Sequence, residues 1–90
     1  MSYASFRIEV DPKADRELKK LHRTHPAIVD KLIRLIDGLL ADPFQGKPLK
    51  GAKQGCYSLR YRDYHIIYEV YAKDRVIHLI RVGDRRDIYR

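Results

Sequence analysis

Hydrophobic residues in this chain follow two rhythms, one of period two and one of helical spacing, and their order predicts the architecture. Phe6, Ile8 and Val10 alternate with Arg7 and Glu9, which predicts a half-buried strand over residues 3–10. Asp11-Pro12 follows as an N-cap with proline at the first helical position. Ala14, Leu18 and Leu21 then share one helical face, with Lys13, Arg16, Glu17, Lys19 and Lys20 elsewhere around it. That helix should stop near Arg23, because a residue preceding proline, here His25 before Pro26, disfavours the α conformation. Pro26 opens a second helix with the stripe Ile28, Leu32, Leu35, Ile36 and Leu39, which Asp42-Pro43 is expected to end. A link this short makes the two helices an antiparallel hairpin.

Periodicity vanishes over residues 44–55, where Gly46, Pro48, Gly51 and Gly55 interleave with Lys47, Lys50 and Lys53; this reads as a basic surface loop. Strands are predicted over residues 56–61, 64–71 and 75–82, with Arg62-Asp63 and Lys73-Asp74 as hairpin turns. A two-residue turn at Arg62-Asp63 sets Tyr61 opposite Tyr64, Arg60 opposite His65 and Leu59 opposite Ile66. Tyr57, Leu59, Ile66, Tyr68 and Val70 then face the helices, while Ser58, Arg60 and His65 project from the other side. Ile67, Ile80 and Val82 are expected on that second side too, as an apolar strip that calls for a partner. Together these elements predict one α+β domain over residues 1–90. An N-terminal strand, a helical hairpin and a three-stranded antiparallel meander form a four-stranded sheet with the helices on one face.

Charge changes the picture more than composition does. The net charge is +7, yet residues 1–43 carry eight Lys and Arg against seven Asp and Glu, and residues 44–90 carry eleven against five. The second half therefore bears nearly all the positive field, which favours nucleic acid or an acidic partner protein. Arg81, Arg85, Arg86 and Arg90 crowd the last ten residues together with Tyr89. Guanidinium forks suit phosphate, and a phenol offers a hydroxyl and a stacking face. Cys56 is the only cysteine, so no internal disulfide forms, and it reads as a small buried thiol. His22 and His25 lack further ligands and His78 reads as a strand residue opposite Glu69, so neither a metal nor a cofactor is expected. No apolar run spans a bilayer and no signal-peptide core is apparent, which predicts a cytoplasmic protein without a membrane partner.

Four segments carry a resemblance: Lys47-Pro48-Leu49-Lys50-Gly51, Gly55-Cys56-Tyr57-Ser58-Leu59-Arg60, Asp63-Tyr64-His65-Ile66-Ile67-Tyr68-Glu69-Val70, and Arg81-Val82-Gly83-Asp84-Arg85-Arg86-Asp87-Ile88-Tyr89. Their order and spacing resemble the RelE/ParE superfamily of prokaryotic type II toxins, specifically its RelE-like branch, over essentially the whole chain. The resemblance implies a toxin that cleaves messenger RNA in the ribosomal A site and is silenced by a cognate antitoxin. It implies metal-free cleavage, with the ribose 2′-hydroxyl attacking its own phosphate. Such chemistry needs a proton acceptor at the 2′-oxygen, cations for the charge on phosphorus, and a proton donor for the leaving 5′-oxygen.

By the same resemblance Arg60, His65, Arg85 and Tyr89 are the catalytic candidates, Arg85 clamping the scissile phosphate and Tyr89 stacking or exchanging a proton. Lys47, Lys50, Lys53, Arg62, Arg81 and Arg86 are candidates for RNA and ribosome contacts. Two positions depart from the family pattern: His65 stands where arginine is usual, and Ser58 where a second basic residue is. A lost fixed charge weakens transition-state stabilisation by a few kcal/mol, whereas histidine is the better acid or base near neutrality. His65 thus either compensates or marks an attenuated toxin. Implied partners are the antitoxin, the ribosome with its messenger, and operator DNA through the antitoxin complex alone. Two other readings stand beside the nuclease: a ParE-like gyrase inhibitor, and an attenuated toxin that acts mainly as an antitoxin-binding co-repressor.

Overall fold

The computed structural model describes residues 5–88. Strand β1 (Arg7–Val10) leads into helices α1 (Pro12–Thr24) and α2 (Pro26–Gly38). A two-residue strand β2 (Lys47–Pro48) and a 3-10 turn (Gly51–Lys53) come next. Strands β3 (Cys56–Tyr61), β4 (Tyr64–Tyr71) and β5 (Val76–Asp84) and a short helix α3 (Arg85–Ile88) complete the order. The sheet has five strands in the order β1-β5-β4-β3-β2. Strand β1 runs parallel to β5 and the other neighbours are antiparallel. The mixed α+β architecture matches the sequence expectation, but the strand count rises from four to five. Lys47 and Pro48, expected within an irregular loop, add an edge strand to β3 opposite Ser58 and Tyr57. Among the described residues no helix is long and apolar enough to cross a membrane.

Local signals explain most boundaries. The Asp11 carboxylate accepts the Lys13 amide at 2.9 Å and Pro12 opens α1. His25 alone separates the helices, its amide closing the last turn of α1 on the Leu21 carbonyl at 2.7 Å. Helix α2 ends at Gly38, earlier than Asp42-Pro43. From Leu39 onward the amides of Leu39, Leu40 and Ala41 reach back three residues rather than four, and the Gln45 side-chain amide takes the Gly38 carbonyl at 3.0 Å.

Ala14, Leu32, Ile36, Leu39, Ile66, Tyr68, Ile77, Leu79 and Val82 form the core between helices and sheet, with Leu18, Leu21, Ile28, Leu35, Tyr57 and Leu59 packed around it. Every β3–β4 pair, from Cys56 with Glu69 to Tyr61 with Tyr64, has the expected register. Arg62, at φ +56°, takes the left-handed conformation that closes the two-residue turn. The second turn is longer than two residues: Tyr71 pairs with Val76, and Arg75 at φ +60° donates its amide to the Ala72 carbonyl.

Strand β5 corrects the expected apolar strip. Ile67 pairs with Arg81 but Tyr68 pairs with Leu79, so Ile80 is an extra residue in a β-bulge. The inserted residue reverses the alternation, and Val82, opposite Ile66, joins the helix-side core instead of the outer face. Ile67 remains outside that cluster but is 1% exposed. The α3 turn also shields the outer face, since Ile88 is buried and lies where a Cβ on Gly83 would meet it at 3.8 Å. Beyond Leu79, where β1 ends, the Val82 amide faces away from β4 and donates to Glu17 of α1 at 3.0 Å.

Gly46 shows how tightly the loop is seated. Its amide donates to the buried Tyr68 hydroxyl at 2.9 Å, and a Cβ there would lie 2.5 Å from that oxygen and 3.0 Å from the Ser58 carbonyl. Gly46→Ala should therefore cost about 1–3 kcal/mol of stability through overpacking. Gly38→Ala, whose Cβ would meet only the Gln45 side chain at 3.8 Å, should stabilise by about 0.4–1 kcal/mol. Urea denaturation of the two variants beside the wild type measures both signs.

Candidate functional site

Four elements and one turn converge on the sheet face away from α1 and α2. There Lys47, Leu49, Ser58, Arg60, His65 and Arg85 line an open depression of about 460 Å³. Alternation along β3 sends Ser58 and Arg60 to this side, and the β3–β4 register sets His65 directly across from Arg60. Strand β2 contributes Lys47, opposite Ser58 and one residue after the Gly46–Tyr68 contact. Arg85 arrives from the far end of β5: its amide donates to the Asp63 carbonyl in the β3–β4 turn at 2.8 Å. Arg60 is tied to the same turn, its Nε donating to the Arg62 carbonyl at 2.8 Å. The turn thus holds both guanidinium-bearing segments beside the histidine.

Electrostatics at His65 favours the neutral ring. Partial burial removes hydration from the charged form, and the Arg60 and Arg85 guanidiniums repel a third positive charge. Asp84 and Asp63 oppose this shift without reversing it, and the net result holds the imidazole below the usual histidine value. The Ser58 hydroxyl lies 3.3 Å from His65 Nδ1. Asp84 is itself held below the usual carboxylate range by the Arg86 amide, which donates to it at 2.9 Å. The outcome is a proton acceptor in a field of fixed cations, an arrangement suited to a phosphodiester.

The catalytic candidates Arg60, His65 and Arg85 are brought together, and Tyr89 lies outside the described residues. Among the proposed RNA contacts, Lys47 enters the depression, whereas Lys50 and Lys53 stand along the loop. Arg62 sits at the turn with its guanidinium 5.5 Å from the Tyr61 ring centre. Arg86 is exposed and pairs with Asp84 at 3.5 Å. Arg81 is engaged by α1: its Nη2 donates to Glu17 Oε2 at 2.9 Å, and its Nε lies 3.1 Å from Oε2 and 3.3 Å from Oε1. Leu49 and Ser58 were not among the candidates. Ser58 was legible from its alternation with Arg60, while Leu49 sits in a stretch without periodicity. His78 faces Glu69 as expected and lies 3.6 Å from the Asp11 carboxylate. Burial, with Glu69 beside it, pushes the Cys56 thiol up, which makes it a poor nucleophile. Among the described residues no three or more His, Cys, Asp or Glu side chains converge to hold a metal.

Comparison with known proteins bears on the family and the fold. A family model described as the ParE toxin of type II toxin-antitoxin system, parDE, matches residues 8–89. Toxin RelG of Mycobacterium tuberculosis is 31% identical over 74 residues, spanning 80% of this chain and 85% of RelG. The isolated E. coli RelE toxin superposes with a TM-score of 0.75 at 26% identity, covering 90% of this chain and 84% of that one. A chain of the toxin–antitoxin complex RelBE2 from M. tuberculosis gives a TM-score of 0.77 at 24% identity, covering 91% of this chain and 100% of that one, a likeness of fold. With nearly the full length matched and the fold shared, this chain belongs to the ParE toxin family, within the RelE/ParE superfamily of type II toxin–antitoxin toxins.

Proposed function

We propose that the protein is the toxin of a type II toxin–antitoxin pair and acts as a ribosome-dependent messenger RNA endoribonuclease. The observation that carries this reading is the convergence of Lys47, Arg60 and Arg85 around a histidine disposed to be neutral. In the proposed reaction, His65 accepts the proton of the ribose 2′-hydroxyl as its oxygen attacks the adjacent phosphorus. Arg85 and Arg60 balance the charge that gathers on the phosphoryl oxygens, and Lys47 adds a third cation. The bond to the 5′-oxygen then breaks, and that oxygen takes a proton from the imidazolium or from Tyr89. The products are a 2′,3′-cyclic phosphate and a 5′-hydroxyl. Repulsion from the two arginines makes the imidazolium a ready acid for the second step.

Lys50, Lys53, Arg62 and Arg86 are the proposed contacts to ribosomal and messenger phosphates, positioning rather than reacting. Arg81 is paired with Glu17, which offsets its charge, so it is not proposed as a phosphate contact. The antitoxin is proposed as an acidic, amphipathic segment that folds over the basic face. Solved toxin–antitoxin complexes of similar fold, RelBE2 of M. tuberculosis and intact RelBE of E. coli, support an antitoxin as the partner. The ParE description of the matching family favours a second reading, a gyrase-directed poison without nuclease chemistry.

Primer extension on ribosome-bound messenger separates the two. Wild-type protein should cut within codons in the presence of ribosomes and leave naked RNA intact, and Arg85→Ala should lower the cleavage rate by about 10²–10³. Intact messenger together with gyrase trapped on DNA would replace the nuclease by the poison. Proton NMR of the His65 ring gives a further check. Its midpoint should fall below the ordinary histidine value, and Arg60→Gln or Arg85→Gln should raise it. The folded chain resists a proton that the unfolded chain accepts, so this group makes stability decline as pH drops through the ordinary histidine value.

A further inference from the structure

Strand β1 lies at the border of the sheet, with β5 on one side of it. Read with its flanking residue it runs Phe6, Arg7, Ile8, Glu9, Val10, an order that complements its own reverse: apolar, cation, apolar, anion, apolar. The Arg7 amide donates to the Arg75 carbonyl at 3.0 Å and the Asp11 amide to the Leu79 carbonyl at 2.9 Å, so Arg7, Glu9 and Asp11 direct their backbone groups at β5. Successive strand residues turn these groups to opposite borders. The amides of Ile8 and Val10, with the carbonyls of Phe6, Ile8 and Val10, therefore face the open border. Val10 is 41% exposed although alternation gives it the helix-side face that Ile8 shares. Arg7 and Glu9 project from the other face and pair with each other at 3.0 Å.

We propose that β1 pairs antiparallel with β1 of a second copy, about a two-fold axis through Ile8, so that one continuous sheet crosses a dimer. The open backbone groups allow registers centred on Arg7, on Ile8 or on Glu9, and charge decides among them. Centring on Arg7 sets guanidinium against guanidinium, and centring on Glu9 sets carboxylate against carboxylate. Centring on Ile8 sets each Arg7 against Glu9 of the other copy. These charged positions fall in the pairs without direct hydrogen bonds, where side chains approach most closely, and like charges there destabilise while opposite ones stabilise. In the Ile8 register the two Ile8 residues exchange both backbone bonds, each Val10 amide meets the other copy's Phe6 carbonyl, and Phe6 covers the exposed Val10. Charges on a border strand ordinarily deter pairing; the alternation of sign here admits one register and rejects its neighbours. The added strand is confined to β1, because past Leu79 the Val82 amide on the β5 border is already taken by Glu17. The candidate site on β2, β3 and β4 lies toward the opposite border and stays open, so the dimer is independent of the proposed reaction.

Sedimentation equilibrium of the full-length free protein tests this pairing. Wild type should show a reversible monomer–dimer equilibrium, as suits a small interface. Arg7→Glu and Glu9→Arg change exposed side chains and leave the β5 ladder intact, so far-UV circular dichroism should match wild type. Each sets like charges opposite one another across the axis and should raise the dimer dissociation constant about tenfold or more. An equimolar mixture of the two variants should recover association, since an acidic border strand then meets a basic one. The chain carrying both changes should dimerise as wild type does. A wild-type protein that stays monomeric at its highest soluble concentration would leave this border to an extended segment of some other protein and overturn the proposal. So would a dimer that neither single variant weakens, or a mixture that fails to restore association.

Discussion

Burial of Ile66 and Tyr68 against the helices fixes the register of β4, and through β4 the position of every group in the candidate site. Both side chains are fully buried, and placing them on the core face leaves His65 no choice but the other. Tyr68 does a second task, since its hydroxyl accepts the Gly46 amide and seats the segment that becomes β2, delivering Lys47 beside Ser58. Its ring stacks on Tyr57 at 5.5 Å, and Tyr57 in turn meets Phe44 edge-on at 5.7 Å, so aromatic contacts on the core side anchor a basic loop that serves the opposite side. The turn before β4 is just as constrained. With Arg62 left-handed, the carbonyls of Arg62 and Asp63 point to Arg60 and to the Arg85 amide.

In the proposed reaction the two arginines act twice. Before substrate arrives they hold the proton off His65; once a phosphate sits between them, its negative charge offsets theirs and the ring's proton affinity rises. The acceptor thus strengthens when there is a proton to accept. A third arginine in place of His65 would stabilise a charged phosphorane but could not perform this exchange. Family membership and this local electrostatic logic are separate supports: the first rests on matching sequence and fold, the second on the distances and charges around a single ring.

Short-range signals in the chain were sufficient for much of this. Capping at Asp11-Pro12, the break at His25-Pro26 and the alternation on either side of Arg62-Asp63 each depend on neighbours a few residues apart. They located both helices, the β3–β4 pairing and the meeting of Arg60 with His65. What escaped depends on distant partners. Strand β2 exists because Lys47 and Pro48 find β3, and nothing in two residues announces a strand. The bulge at Ile80 leaves no mark in a run of β-branched residues, so alternation alone places Val82 on the wrong face. Nothing near Arg81 in the chain announces its ion-pair partner, Glu17, 64 residues away. Arg85 is implied by family likeness, and the bond that places it, from its amide to the Asp63 carbonyl, is invisible to periodicity.

The contact between Glu17 and the Val82 amide has a consequence for how this molecule behaves among its own copies. Past the end of β1 the border of β5 would display a bare donor, an invitation to any passing extended segment. A helix carboxylate already fills that donor and draws Arg81 alongside. The sheet is therefore closed on that border by charge chemistry, not by another strand, and a newcomer must evict an ion pair before it can add a rung.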